Sequence, residues 1–171
     1  MNDLNELKKY IQDVKDFPIK GIVFKDISPL LANGEIFRIV VEKMAEKVRE
    51  VDVIIGPDAR GFIFGAAVAS YLKKPFVMIR KEGKLPHNTI KIDYKLEYGM
   101  GSLEIQKDLI KPGQSVAILD DVLATGGTTK ASVELVKKLG AKVTKAVFLM
   151  ELEFLNGKEK INAEVISLLK Y

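Results

Sequence analysis

Cysteine is absent from this 171-residue chain, so neither a disulfide framework nor a thiolate metal site can be built. A single histidine, His87, supplies too few imidazoles for a histidine-built metal centre and argues against a Ser-His-Asp triad. It sits in a polar stretch and reads as solvated. Long apolar runs are also missing: residues 62–69 and 147–150 fall far short of the ~20 residues a membrane span requires. The opening Met1-Asn2-Asp3-Leu4-Asn5-Glu6 is acidic and lacks the cationic start and apolar run of a secretory signal. The expectation is a cytoplasmic protein, without a membrane partner, whose chemistry rests on carboxylates, hydroxyls, backbone amides and cations.

Charge of one sign does not dominate either. Basic residues number 27 against 23 acidic, a net +4, and no long basic run or recognition motif accompanies them, so nucleic acid is not expected as a partner. The cations are unevenly placed, however. Arg80, Lys81, Lys84, Lys91 and Lys95 are opposed in that stretch only by Glu82 and Asp93, a concentration suited to a small polyanion.

With 47 % hydrophobic and 29 % charged residues, the chain has an ordinary globular composition and enough length to bury a core. Leu4, Leu7, Tyr10, Ile11 and Val14 recur at helical spacing and predict an opening helix. Residues 17–29, with two prolines and Gly21, read as irregular. Asn33 is placed to cap a helix whose apolar face holds Phe37, Val40, Val41, Met44 and Val48. Strands are predicted at 51–55, 76–79, 115–119, 143–150 and 165–169, with helices at 61–72 and 128–139 between them. Residues 81–102 show neither clean periodicity and read as a long flexible lid. Strands alternating with helices imply one α/β domain over residues 1–171, with a mostly parallel sheet flanked by helices.

The chemistry concentrates in Leu119-Asp120-Asp121-Val122-Leu123-Ala124-Thr125-Gly126-Gly127-Thr128-Thr129. An apolar strand ends in two carboxylates, a loop with two glycines follows, and a helix begins at the threonines. Ligands of open α/β sheets bind beyond the carboxyl ends of the strands, where this loop must sit. The glycines permit close approach of backbone amides to an anion, the helix N-terminus favours negative charge, and the threonines add hydroxyls. Ala124, Thr125, Gly126, Gly127 and Thr128 thus form a candidate monophosphate cradle. Carboxylates would repel that phosphate, so Asp120 and Asp121 are expected to face hydroxyls, as a ribose 5-phosphate would present. Neither the Gly-Lys-Ser/Thr of a P-loop nor a complete G-x-G-x-x-G occurs.

This segment resembles the phosphoribosyl-pyrophosphate motif of type I phosphoribosyltransferases. Phe17-Pro18, Gly21 to Pro29, Arg60-Gly61-Phe62-Ile63-Phe64-Gly65, Ile79-Arg80-Lys81, Gly83-Lys84-Leu85-Pro86, Leu96-Glu97-Tyr98-Gly99 and Glu151-Leu152 with Leu155 and Gly157 are similar, in order, to the adenine phosphoribosyltransferase family. The resemblance implies the type I phosphoribosyltransferase fold, with residues 1–33 as a base-binding segment and 81–102 as the catalytic loop. It also implies a purine-salvage reaction: adenine and phosphoribosyl pyrophosphate give AMP and pyrophosphate, with Mg²⁺ bridging pyrophosphate and ribose hydroxyls, in a homodimer.

Individual residues take expected roles in such a reaction. Arg60 follows a strand end where its planar fork suits pyrophosphate oxygens. Arg80, Lys81 and Lys84 are candidates to neutralise the same leaving group, and the family resemblance lets Arg80 reach a neighbouring subunit's site. Glu97 is a candidate to take the proton adenine loses or to steady charge at C1′, and Tyr98 to seal the lid. Val23, Phe24 and Lys25 are expected at the base: Phe24 offers a stacking face and the Val23 backbone a donor–acceptor pair. Lys25 stands where relatives commonly carry arginine, and Ala59 where many carry serine. Two other readings remain open on sequence: a phosphoribosyltransferase for 6-oxo purines, and a phosphoribosyl-pyrophosphate-sensing regulator.

Overall fold

The computed structural model describes residues 4–95 and 100–171. In chain order the elements are a 3₁₀ turn (Leu4–Tyr10), β1 (Gln12–Lys15), β2 (Val23–Asp26), α1 (Ser28–Leu31), α2 (Gly34–Glu46), β3 (Val53–Pro57), α3 (Arg60–Leu72) and β4 (Phe76–Lys81). They continue with β5 (Thr89–Lys95), β6 (Met100–Gln106), β7 (Ser115–Leu123), α4 (Gly127–Lys138), β8 (Lys142–Glu151), two 3₁₀ turns (Glu153–Leu155 and Gly157–Lys160) and β9 (Glu164–Lys170).

Among the described residues a seven-stranded sheet runs in the order β5-β6-β4-β3-β7-β8-β9, and β1 and β2 form a separate antiparallel ribbon. The pairs β3–β4, β3–β7, β7–β8 and β8–β9 are parallel. Because β3 is flanked by β4 on one side and by the much later β7 on the other, the crossovers diverge there. A crevice therefore opens at the carboxyl ends of β3 and β7.

Period-two alternation divides the core between the two faces of the sheet. Ile54, Ala117 and Leu119 pack with Val40, Met44, Phe64 and Val68 of α2 and α3. Val53, Ile55, Val116 and Ile118 pack with Ala131, Leu135 and Val136 of α4. Asn33 caps α2 as expected, its side-chain oxygen accepting from the Ile36 N–H at 3.2 Å.

Three sequence expectations are corrected. The opening helix is 3₁₀ and stops at Tyr10; Val14 lies on β1 and is exposed, because residues 12–15 pair with 23–26 instead of continuing the helix. That pairing also places a strand inside the stretch read as irregular. The region 81–102 is not a plain loop. β5 and β6 pair antiparallel, and β6 pairs with β4. The signal was present: Ile90, Ile92 and Tyr94 alternate with Lys91, Asp93 and Lys95, and this apolar set packs against the α4-side core. Residues 96–99 of the expected lid lie outside the described residues.

Candidate active site

The crevice holds a cavity of about 260 Å³, lined by residues 58–60 after β3 and by residues 120–129 at the end of β7 and the start of α4. It brings together Arg60, Asp120, Asp121 and the whole 124–128 loop. Thr129, counted in the sequence reading among the hydroxyl donors, also lines the cavity, whereas Asp58, beside the Arg60 motif, had been given no role.

β7 runs four residues further than the sequence suggests, so both aspartates are on the strand and the bend falls after Leu123. Beyond it, Gly126 adopts φ +78°, a left-handed conformation that places the first turn of α4 against the cavity. Among the described residues no side chain caps this helix, which leaves its leading N–H groups, and its positive dipole end, available to an anion.

The loop is held from behind by a segment that the sequence reading matched to the family but gave no role. A Cβ on Gly126 would lie 2.4 Å from the Gly157 carbonyl oxygen, and a Cβ on Gly157 would lie 2.1 Å from the Ala124 carbonyl oxygen. The two backbones interlock at a distance only glycines allow. The Lys160 ammonium donates to the Thr125 carbonyl at 2.7 Å, adding a second tie.

Asp121 is almost fully buried, and its Oδ2 lies 2.9 Å from Arg60 Nε. That contact is an ion pair without hydrogen-bond alignment, so among the described residues Oδ2 has no hydrogen-bond donor and keeps an acceptor position inside the cavity wall. Burial raises the Asp121 pKa while Arg60 opposes the rise. Asp120 is raised well above the ordinary carboxylate range, first by burial and then by the neighbouring Asp121 charge. Its Oδ1 accepts the Asp121 N–H at 2.9 Å. Such a pair gains by receiving hydroxyl donors or a cation.

Arg60 does more than face an anion. Its guanidinium lies 4.9 Å from the Phe24 ring centroid, and Nη1 donates to the Lys25 carbonyl at 3.5 Å. It therefore joins the β1–β2 ribbon to the carboxylate wall, setting Phe24 near the mouth of the crevice. Lys25 is corrected in one respect: its ammonium is ion-paired with Asp13 at 2.6 Å and lies over the Tyr171 ring, so the side chain is committed away from the cavity. Val23 is half-exposed on the same strand.

The cations from the other side are arranged less tightly. Arg80 Nε pairs with Asp58 at 3.0 Å, and its Nη1 donates to the Lys84 carbonyl. Lys81 and Lys84 are exposed and do not line the cavity. Buried Glu104 on β6, which sequence reasoning missed, accepts the Lys84 and Leu85 N–H groups at 3.0 and 2.9 Å and fixes this turn. Glu97 and Tyr98 lie outside the described residues.

An anion cradle beside two strained carboxylates, with an aromatic strand at its edge, fits a phosphorylated sugar joined to a planar ring. Comparison with known proteins agrees. A phosphoribosyl transferase domain family matches residues 26–170. The chain is 57 % identical over 169 residues to the adenine phosphoribosyltransferase of Mycoplasmopsis agalactiae, covering 97 % of this chain and 99 % of that one. The crystal structure of adenine phosphoribosyltransferase from Thermoanaerobacter pseudethanolicus superposes with a TM-score of 0.95 at 48 % identity, over 98 % of this chain and 99 % of that chain. The Saccharomyces cerevisiae enzyme, solved with an imino-altritol bisphosphate and adenine, gives 0.91 at 40 % identity, over 96 % and 97 %.

Proposed function

This chain belongs to the adenine phosphoribosyltransferase family, and from that premise we propose which of its residues perform the transfer of the 5-phosphoribosyl group from phosphoribosyl pyrophosphate to adenine. In that reaction the bond from C1′ to a pyrophosphate oxygen breaks and a bond from C1′ to an adenine nitrogen forms. Adenine loses a proton; AMP and pyrophosphate leave, a purine-salvage reaction.

The observation that carries the assignment is the joint lining of one cavity by the Asp120–Asp121 pair and the 124–128 loop. The loop amides and threonine hydroxyls hold the 5′-phosphate. Asp120 and Asp121 accept the ribose 2′- and 3′-hydroxyls, which stabilises their ionised forms and fixes the sugar with C1′ toward Phe24 and Arg60. Charge develops at C1′ with oxocarbenium character, so positioning and exclusion of water do most of the work. Arg60, with Arg80, Lys81 and Lys84 from the adjoining turn, balances the leaving pyrophosphate. Val23 and Phe24 receive the purine, Phe24 by stacking. Glu97 and Tyr98 are proposed to act at the base and over the closed site.

Mg²⁺ fits this donor set, with the Asp120–Asp121 pair as the protein groups that would face it. No trio of histidine, aspartate and glutamate side chains converges as a metal cage among the described residues, while the acceptor-rich Asp120–Asp121 wall, with the orphaned Asp121 Oδ2, suits an ion held chiefly by phosphate, hydroxyl and water oxygens. Bound there, Mg²⁺ would neutralise the pyrophosphate. The enzyme is proposed to work as a homodimer in the cytoplasm.

The test is direct. Purified protein with phosphoribosyl pyrophosphate, Mg²⁺ and adenine should form AMP and pyrophosphate, and hypoxanthine should be turned over poorly. Equal rates with the two bases would overturn the base assignment.

A further inference from the structure

The β1–β2 ribbon stands apart from the main sheet, and a two-stranded ribbon is marginal by itself. Something must fix it if β2 is to present Val23 and Phe24 reproducibly. Lys25, next to Phe24, points the other way, with a side chain only 13 % exposed. Its ammonium is 2.6 Å from Asp13, its cross-strand partner on β1, and 3.9 Å from the Tyr171 ring centroid. Tyr171 is itself anchored: its N–H donates to the Glu151 carbonyl at 3.0 Å, and its carbonyl accepts from Glu153 at 3.0 Å. A second cation, Lys8, lies 4.7 Å over the same ring and donates to the Lys170 carbonyl at 2.7 Å. Among the described residues the buried Tyr171 hydroxyl has no hydrogen-bond partner, and it is the ring face that meets the two ammonium groups.

We propose that Tyr171 is a positioning residue for purine binding: its ring seats Lys25, and Lys25 fixes the strand that carries Val23 and Phe24. The platform lies at the end of the sheet, beyond β9, and acts on the base through the ribbon without touching it. This rests on the assignment of β2 as the base-binding strand. A cation held over a partly desolvated ring, and an ammonium completing the ion pair to Asp13, together supply enough energy to bias the ribbon.

Steady-state kinetics on four single variants and one double variant test the idea. Tyr171→Leu should raise KM for adenine about three- to tenfold, leaving kcat and KM for phosphoribosyl pyrophosphate within about twofold. Tyr171→Phe keeps the ring and should retain wild-type values. Lys25→Met should reproduce the Tyr171→Leu effect without altering the ring, and the double variant should be no worse than the poorer single one. Phe24→Ala, at the base itself, should raise KM for adenine more than any of these. A normal adenine KM in Tyr171→Leu or in Lys25→Met, with Phe24→Ala impaired, overturns the clip and leaves the base site standing. A normal adenine KM in Phe24→Ala overturns the base site and the clip with it. Loss in Tyr171→Phe equal to that in Tyr171→Leu also overturns the proposal, since the ring would not be the working part.

Discussion

Asp120 shows what its proposed role at the ribose hydroxyls costs the fold. Folding removes its carboxyl from water and sets it beside Asp121, and both effects raise its pKa above the unfolded value. The folded state then binds the Asp120 proton more tightly than the unfolded state does. The resulting destabilisation is absent at pH below about 4, where both states are protonated, and grows as pH rises toward the folded-state pKa. Asp120→Asn keeps the acceptor for the Asp121 N–H and removes the charge. Without substrate or Mg²⁺ it should melt about 2–4 °C above wild type at neutral pH, and the gap should close on acidification. A pH-independent gap in calorimetry would contradict this reading. The same variant should lose transfer activity by about 10²-fold, because the amide is a weaker hydroxyl acceptor than a carboxylate. Sequence placed both aspartates and Arg60 at the site. It did not show that Arg60 spends its charge on Asp121 and its face on Phe24, because those partners lie 61 and 36 positions away in the chain.

At the scale of elements, the proposed phosphate loop depends on a segment that closes behind it. Gly126 needs its positive φ, and Gly126 and Gly157 each occupy space that the other's Cβ would claim. Gly157→Ala should push the loop forward and raise KM for phosphoribosyl pyrophosphate by about tenfold or more, with adenine KM little changed, at a stability cost of about 1–3 kcal/mol. Lys160→Ala, which removes one hydrogen bond and no volume from the interlock, should have a smaller effect on the same constant. Kinetics titrated against each substrate would check the split. The strand–loop–helix was legible because its glycines, threonines and carboxylates are local signals. The brace was not, since a glycine that meets a backbone from elsewhere looks like any turn glycine. The β5–β6 hairpin was legible in principle through its alternating apolar residues, which the surrounding charge and glycine obscured.

At the scale of the molecule, the homodimer proposal has a mechanical content. Helix α3 leaves Ile63 and Tyr71 exposed, and β4 leaves Met78 exposed, on a chain whose helix sequence is apolar nearly all round. Sedimentation equilibrium at micromolar concentration should report twice the mass of one chain; a monomer that is fully active would exclude any need for a neighbouring subunit's Arg80. The sequence alone determined the α/β alternation, the order of strands and helices around the parallel core, and the chemistry of the 119–129 segment, because periodicity, capping and turn residues act over a few positions. Only the tertiary structure decided that β3 and β7 lie side by side to open the crevice, that the Gly157–Lys160 turn braces the proposed phosphate loop, and that Tyr171 reaches the ribbon near the other end of the chain. Those are contacts between distant segments, fixed by how the layers pack, and no local pattern encodes them.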